Sequence, residues 1–235
     1  MHNRFFVDSE ISEDKVILND SAQIHQILRV LRLKEGSDVV LLDNTGFEHI
    51  AVIEVTAKNE IVFKILEKRE SEAESEVELS LFQGLLKKDK MEWIFEKGTE
   101  LGVSRFVPVF AKHCVKTDLN FERARKIIRE AAEQSGRAKL PELLEISDFE
   151  KALGFRAEKD EMNFILDPAG KVPLKNFICQ NKLPEKINVF VGPEGGFAAE
   201  ELAAAEKSGF KIVSLGKRIL RAETAAIAAC GLLVI

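Results

Sequence analysis

The apolar positions of the first seventy residues fall into short runs set apart by turn formers. Residues 15–18, 38–42, 47–55 and 61–66 read as strands, with Asp43-Asn44-Thr45-Gly46 and Lys58-Asn59-Glu60 as turns. Between the first two strands, Ile24, Ile27, Leu28 and Leu31 recur at helical spacing behind Asp20 or Ser21 as a cap. That spacing predicts a short helix with His25, Arg29 and Arg32 off its buried stripe. Residues 1–70 thus predict a small, mostly β module. Residues 71–78 (Ser-Glu-Ala-Glu-Ser-Glu-Val-Glu) read as a linker or, by their alternation, as the entry to the next strand.

From residue 79 the period changes to alternating strands and helices. Residues 79–85, 105–110, 162–166, 187–191 and 211–215 read as strands. Met91, Ile94, Phe95 and Leu101 form a helical stripe that Gly102 is placed to end, and Trp93, beside those positions, is expected in the core. Further helices are predicted at 121–134, before Gly136, and at 199–207, before Gly209. This alternation predicts an α/β domain over 79–235 with a mainly parallel sheet. Residues 223–235 carry one charge and are apolar around most of a helical circumference, with Thr224 placed as the cap. Such a helix is expected to pack under the sheet or against a second subunit.

Composition narrows the classes. The chain has 235 residues, 46% hydrophobic and 31% charged, enough for one or two domains with real cores. No apolar run reaches the roughly 18–20 residues of a membrane span, and the opening residues lack the apolar stretch of a secretory leader. Cys114, Cys179 and Cys230 are odd in number and far apart, which argues against a disulfide scaffold and suits a reducing cytoplasm. His2, His25, His49 and His113 show no metal-ligand spacing, so no metal is expected. Formal net charge is −5, yet residues 79–140 hold 13 Lys/Arg against 8 Asp/Glu. That basic zone reads equally as a solvated helix face or as a polyanion contact.

Two segments carry the chemistry. Val189-Phe190-Val191-Gly192-Pro193-Glu194-Gly195-Gly196-Phe197 runs from a predicted buried strand toward a helix, and its glycines let backbone lie close to a ligand. It matches neither the P-loop nor the G-x-G-x-x-G pattern, so a nucleotide phosphate cradle is not indicated. Residues 214–225 (Ser-Leu-Gly-Lys-Arg-Ile-Leu-Arg-Ala-Glu-Thr-Ala) leave the next strand with another glycine and place apolar Ile219 and Leu220 in a loop. Two such loops at strand ends suit a flat heteroaromatic ligand held by main-chain hydrogen bonds.

G-P-E-G-G-F at 192–197 followed by L-G-K-R-I-L-R-A-E-T-A at 215–225 resembles the RsmE family of SPOUT methyltransferases. R-F-F-V at 4–7, H-Q-I-L-R-V-L-R at 25–32, K-G-T-E-L-G-V at 97–103 and E-Q-S-G-R at 133–137 extend the resemblance along the chain in order. That family methylates N3 of a uridine in 16S ribosomal RNA. The resemblance implies a small PUA-like, RNA-binding β-barrel followed by a SPOUT-type α/β trefoil-knot domain that binds S-adenosylmethionine and pairs as a homodimer. It implies a cofactor site of Gly192, Glu194, Gly195, Leu215, Gly216, Ile219, Leu220 and Thr224, with Val191, Pro193 and Ala225 beside them. Leu166, which opens Leu166-Asp167-Pro168-Ala169-Gly170-Lys171, stands where such proteins place their first cofactor loop.

Uracil N3 is protonated near neutral pH, so the site must remove that proton or stabilise the anion. Arginine suits the second role, which makes Arg221 and Arg137 the candidates, although Arg221 is equally placed to pair with Glu223 or Glu194. Glu223 is a candidate base or a support of the loop. Lys87, Lys88, Arg125, Arg129 and Arg137 suit phosphate contacts, and Arg4, Arg29 and Arg32 extend them onto the small domain. The alternatives at this stage are a knotted enzyme acting on another RNA, such as tRNA, and an RNA-binding adaptor without catalysis.

Overall fold

The structure, a computed structural model, describes residues 3–115, 118–155 and 161–234. The chain divides into two units: Met1–Glu74 with Ala132–Leu140, and Ser75–Ala131 with Pro141–Ile235.

The first unit contains β1 (Asn3–Phe6), β2 (Lys15–Leu18), α1 (Ser21–His25), which continues as a π-turn over Gln26–Val30, then β3 (Asp38–Leu42), β4 (Phe47–Thr56) and β5 (Ile61–Glu70). The strands form one sheet in the order β1-β3-β4-β5-β2. β1 lies parallel to β3, and the other pairings are antiparallel. Phe5, Ile27, Val39, Leu41, Ile53 and Phe63 are buried together, each contributing roughly 1.5–3 kcal/mol by leaving water. Asp20 caps α1, its carboxylate accepting from the amides of Ala22 (2.7 Å) and Gln23 (2.9 Å). The Leu31 amide then donates to the Gln26 carbonyl at 2.9 Å, one residue further back than in an α-helix. That wider turn rotates Leu31 off the predicted stripe: Ile24 and Ile27 are buried, while Leu31 is 39% exposed.

Residues 132–140 group with this unit, whereas periodicity assigned them to the 79–235 domain. The cause is packing and charge. Ala132 and Ala138 fill the face formed by Phe6, Val40 and Leu42. Glu74 accepts from the amides of Ala138 and Lys139 at 2.9 and 3.0 Å and from the Arg137 guanidinium at 2.9 Å.

The second unit runs β6 (Glu78–Gly84), α2 (Lys88–Glu100), β7 (Val103–Phe110), α3 (Phe121–Ser135), β8 (Glu142–Leu143), β9 (Ser147–Asp148) and α4 (Phe149–Leu153). It continues with β10 (Glu161–Leu166), β11 (Val172–Pro173), α5 (Leu174–Gln180), β12 (Lys186–Val191), α6 (Ala199–Lys207), β13 (Lys211–Ser214) and α7 (Ala222–Val234). The last residues of α3 belong to the first unit. Its eight-stranded sheet has the order β11-β13-β10-β12-β6-β7-β8, with β9 also on β7, and its described pairings are parallel. Side chains alternate between two cores. Val189 and Val191 face a cluster with α2 and α7, while Phe190 turns toward α4 and α6 and stacks on Phe82 at 4.2 Å.

Two expectations, for Trp93 and for Thr224, need correction. Trp93 is 39% exposed, because the buried stripe of α2 runs through Met91, Ile94, Phe95, Gly98 and Thr99 and passes it by. α7 starts at Ala222, so Thr224 stands in its first turn and is not its cap. One side of α7 (Ala226, Ala229, Cys230, Leu233) is buried against the sheet and α2, but Leu232 on the other side is 40% exposed. Burial pushes the Cys230 thiol up to about 12, so it is inert filling. Ile235, included in the predicted helix, lies outside the described residues.

Candidate cofactor pocket

β13, β10 and β12 are neighbours and parallel, so their carboxyl ends come together, the position where α/β sheets hold ligands. A cavity of about 550 Å³ opens there, within the ordinary ~300–1,000 Å³ of small-molecule sites. Leu166, Val191, Gly192, Pro193, Glu194, Gly195, Leu215, Gly216, Ile219, Leu220 and Ala225 line it, as does Arg221. Thr224 is not among the lining residues. Lys90, Asp167, Pro168, Gly196, Phe197, Arg218 and Ala222 complete the wall.

The glycines explain why the cavity exists. Gly196 (φ +68) and Gly216 (φ +104) take left-handed backbone, and a Cβ on either would meet nothing within 4 Å. Bare main chain therefore faces open space at both loops. Behind the first loop, a Cβ on Gly84 would stand 2.6 Å from Pro193 N, so the end of β6 and the loop touch backbone to backbone. A Cβ on Gly170 would stand 2.5 Å from the Val213 carbonyl carbon, where the loop after β10 crosses β13. The turn closes on itself through Gly196 N–H to Pro193 O at 2.9 Å.

The side chains that hold the glycine loop come from the adjoining helix and from segments far along the chain. His113 Nδ1 lies 3.1 and 3.2 Å from the carbonyl oxygens of Gly195 and Gly196. Glu201, 8% exposed, accepts from Ala198 N at 2.7 Å and Lys112 N at 2.9 Å. Buried Gln83 donates to the Gly84 carbonyl at 2.9 Å. None of these residues is signalled by a motif. Lys90 is the strongest omission: its ammonium is 3.1 Å from Glu194 Oε1 and 3.5 Å from Glu223 Oε2, joining α2, the glycine loop and α7. The hydrogen bond it donates to Glu194 raises its pKa, so the lysine stays charged and offsets two carboxylates. Its place in Lys87-Lys88-Asp89-Lys90, just past a strand end, is the one signal in the sequence that pointed to it.

The remaining candidates are placed as follows. Glu194 and Glu223, the partners that sequence reasoning had offered to Arg221, pair with Lys90. Arg221 is exposed on the cavity wall. Arg137 belongs to the first unit, is 4% exposed and is ion-paired with Glu74. Lys87 and Lys88 are exposed around the start of α2. Arg125 is exposed over the Phe121 ring, and Arg129 is half-buried. In the first unit, Arg4 bonds to Glu48 at 3.2 Å, while Arg29 and Arg32 are exposed. Among the described residues, no group of three His, Cys, Asp or Glu side chains could hold a metal ion, and no helix is long and apolar enough to cross a membrane.

Comparison with known proteins fits this geometry. An RNA methyltransferase domain family matches residues 73–234, and an RNA methyltransferase PUA domain family matches residues 18–66. The Ribosomal RNA small subunit methyltransferase E of Rickettsia conorii is 32% identical, covering 97% of this chain and 93% of that protein. The protein of the same name from Bacillus subtilis is 29% identical, covering 94% and 92%. The crystal structure of the Neisseria gonorrhoeae enzyme of that name, bound to S-adenosyl methionine, superposes with a TM-score of 0.89 at 31% identity, covering 98% and 95%. With both domain families in this order and such relatives matching end to end, the chain belongs to the ribosomal RNA small subunit methyltransferase E family, a PUA-like domain followed by a SPOUT-type RNA methyltransferase domain.

Proposed function

We propose that this protein transfers a methyl group from S-adenosylmethionine to N3 of one uridine in 16S ribosomal RNA, in the cytoplasm, as a homodimer whose second domain is trefoil-knotted. The observation that carries the reading is the pair of side-chain-free loops, at Gly196 and Gly216, facing one cavity at adjacent parallel strand ends. Support comes from the Neisseria gonorrhoeae relative, crystallised with S-adenosyl methionine.

The residues present fit that group. Main-chain groups around Gly195 and Gly216 suit the edge of an adenine, between the apolar surfaces of Leu166, Val191, Phe197 and Leu220. Glu194 and Glu223 supply negative charge beside a cationic donor, and Lys90 keeps the two carboxylates from repelling each other. The bound donor supplies an electrophilic methyl on a sulfonium centre.

For the acceptor, the chain must favour a uracil that has lost its N3 proton. Of the two candidate arginines we assign this to Arg221, because it lines the cavity while Arg137 is buried against Glu74. Its planar, permanent charge stabilises the anion spread over O2 and O4. Glu223, whose Oε2 lies 3.5 Å from the Lys90 ammonium, is the carboxylate on this side of the loops that we assign as the candidate acceptor of that proton. A paired uridine hides N3, so the target is unpaired or extruded. Lys87, Lys88, Arg125 and Arg129 serve its phosphates, and the open side of α7 around Leu232 is the face we assign to the partner copy.

Two measurements test this. Titration calorimetry should show S-adenosylmethionine binding, and mass mapping of rRNA from a strain lacking the gene should show loss of one N3-methyluridine from the 16S species. No measurable binding, or an unchanged 16S nucleoside pattern, overturns the reading.

A further inference from the structure

A second cavity, of about 670 Å³, lies wholly within the first unit. One wall is the outward side of α1 and its π-turn, carrying His25 and Arg29; the other is the β4–β5 turn, carrying Lys58 and Asn59. Asn19 stands at one end, and Ile24 and half-buried Leu28 give it an apolar floor. Both walls are fixed. Asp20 caps α1, the Leu31 amide closes the π-turn on Gln26, and the turn opposite closes through Ala57 N–H to Glu60 O at 2.9 Å.

The lining has a sharp chemical bias. Residues 1–70 hold 13 Asp/Glu against 9 Lys/Arg, yet no carboxylate lines this cavity, while a guanidinium, an ammonium and an imidazole do. The adjoining acids are committed elsewhere. Asp20 Oδ1 takes two amides, and Glu35 Oε1 takes the amide and hydroxyl of Thr56. Two cations bind one phosphate well. An imidazole over an apolar floor offers a face on which a base stacks. The amides of Asn19 and Asn59 each donate and accept, so they serve any base edge.

We propose that this groove is a subsite for one unpaired RNA nucleotide, its phosphate between Arg29 and Lys58 and its base against His25. The inference rests on the RNA methyltransferase reading and assigns part of the RNA to the first unit, whereas the methyl-transfer cavity belongs to the second. It takes a nucleotide of the same RNA strand and sets no requirement on which base.

The test is binding of a labelled 16S rRNA transcript by the full chain, from 50 to 200 mM salt at pH 8. The double variant Arg29→Ala/Lys58→Ala should bind at least tenfold more weakly and reduce the slope of log K against log salt by roughly 0.7, the share of one single-strand phosphate. His25→Ala should weaken binding by roughly fivefold or more at every salt concentration with the slope unchanged, because stacking carries no counterion term. His25→Phe should restore it. Affinity for S-adenosylmethionine, measured by calorimetry, should stay within twofold in all three. An unchanged slope in the double variant, or wild-type binding by His25→Ala, overturns the subsite. So does a His25→Ala defect that phenylalanine fails to restore, or one equally large against heparin. Failure of the wild-type chain to bind S-adenosylmethionine would sink the parent reading instead, which keeps the two outcomes apart.

Discussion

Gly84 offers the most direct test of how the glycine loop is held. It ends β6, does not line the cavity, and faces the loop from behind. A Cβ there would stand 2.6 Å from Pro193 N, 2.7 Å from Pro193 Cδ and 2.9 Å from the Gly192 carbonyl carbon. Ordinary contact begins at 3.4 Å, so the Gly84→Ala methyl is short of room by 0.8 Å. The opposing atoms are backbone and a proline ring, with no rotamer to absorb the clash. Overpacking of this kind costs about 1–3 kcal/mol. If the loop retreats, the cost appears in ligand binding, roughly a 5- to 150-fold rise in Kd for S-adenosylmethionine. If the loop stays, the cost appears in stability, at roughly 2–4 °C in Tm per kcal/mol for a chain of this size. Calorimetry and differential scanning fluorimetry on the same preparation divide the two. Gly231→Ala is the control: it sits inside α7 with nothing within 4 Å of its new methyl, and should gain up to about 1 kcal/mol from helix propensity. Gly84→Ala with both Kd and Tm unchanged would refute the tight backing described for the loop.

Three further outcomes follow from particular contacts. Lys90→Met leaves Glu194 and Glu223 facing each other without a cation and should raise Kd for S-adenosylmethionine roughly two- to fivefold, with Lys90→Arg closer to wild type; equal affinities for all three chains would show that the bridge is idle. Leu232→Asp charges the open side of α7 and should convert a dimer to a monomer in sedimentation velocity, an outcome that a persisting dimer contradicts. In the first unit, burial holds the His49 imidazole below its ordinary value despite Asp43 Oδ2 at 3.1 Å. Burial works to raise Asp43, but bonds from the Thr45 hydroxyl and the Ile11 and Thr45 amides outweigh it and hold the carboxyl low. The unfolded chain therefore takes up protons first at both groups, so stability is full above about pH 6.5. It falls on acidification, through His49 first and Asp43 below about pH 4. Chemical denaturation of His49→Gln, which keeps a donor for Asp43, should lose the first part of that slope between pH 6.5 and 5; a slope equal to wild type would exclude His49 as its source.

The fold was legible wherever an element was long enough to show a period. β3, β4 and β12 alternate or run apolar, and α2 and α6 show stripes or end at a glycine, because burial on one side imposes spacing. β8, β9 and β11 have two residues each and α4 has five, too few to repeat anything. Two departures had physical causes that no window of sequence contains. The π-turn changed the residues per turn under Leu31, and a carboxylate at Glu74 drew residues 137–139 out of the domain that follows it.

The candidate site divides along the same line. Its cradle was readable because glycine marks a place where a side chain is excluded, a constraint that acts on one residue and its immediate surroundings. Eleven of the twelve residues that the resemblance implied around the cofactor line the cavity those glycines open. Its supports were unreadable because each depends on a partner elsewhere in the chain: Lys90 on Glu194, 104 residues away, and His113 on Gly195, 82 residues away. Only the parallel order β12-β6-β7 brings the ends of those segments side by side. A lysine in a run of lysines reads as solvated charge until that order is known. Arg137 shows the converse, since a basic residue near other basic residues read as an RNA contact and instead spends its charge on Glu74 inside the first unit. Function can therefore be inferred from what a sequence omits at a loop with more security than from the charges it adds, whose meaning depends on the fold that pairs them.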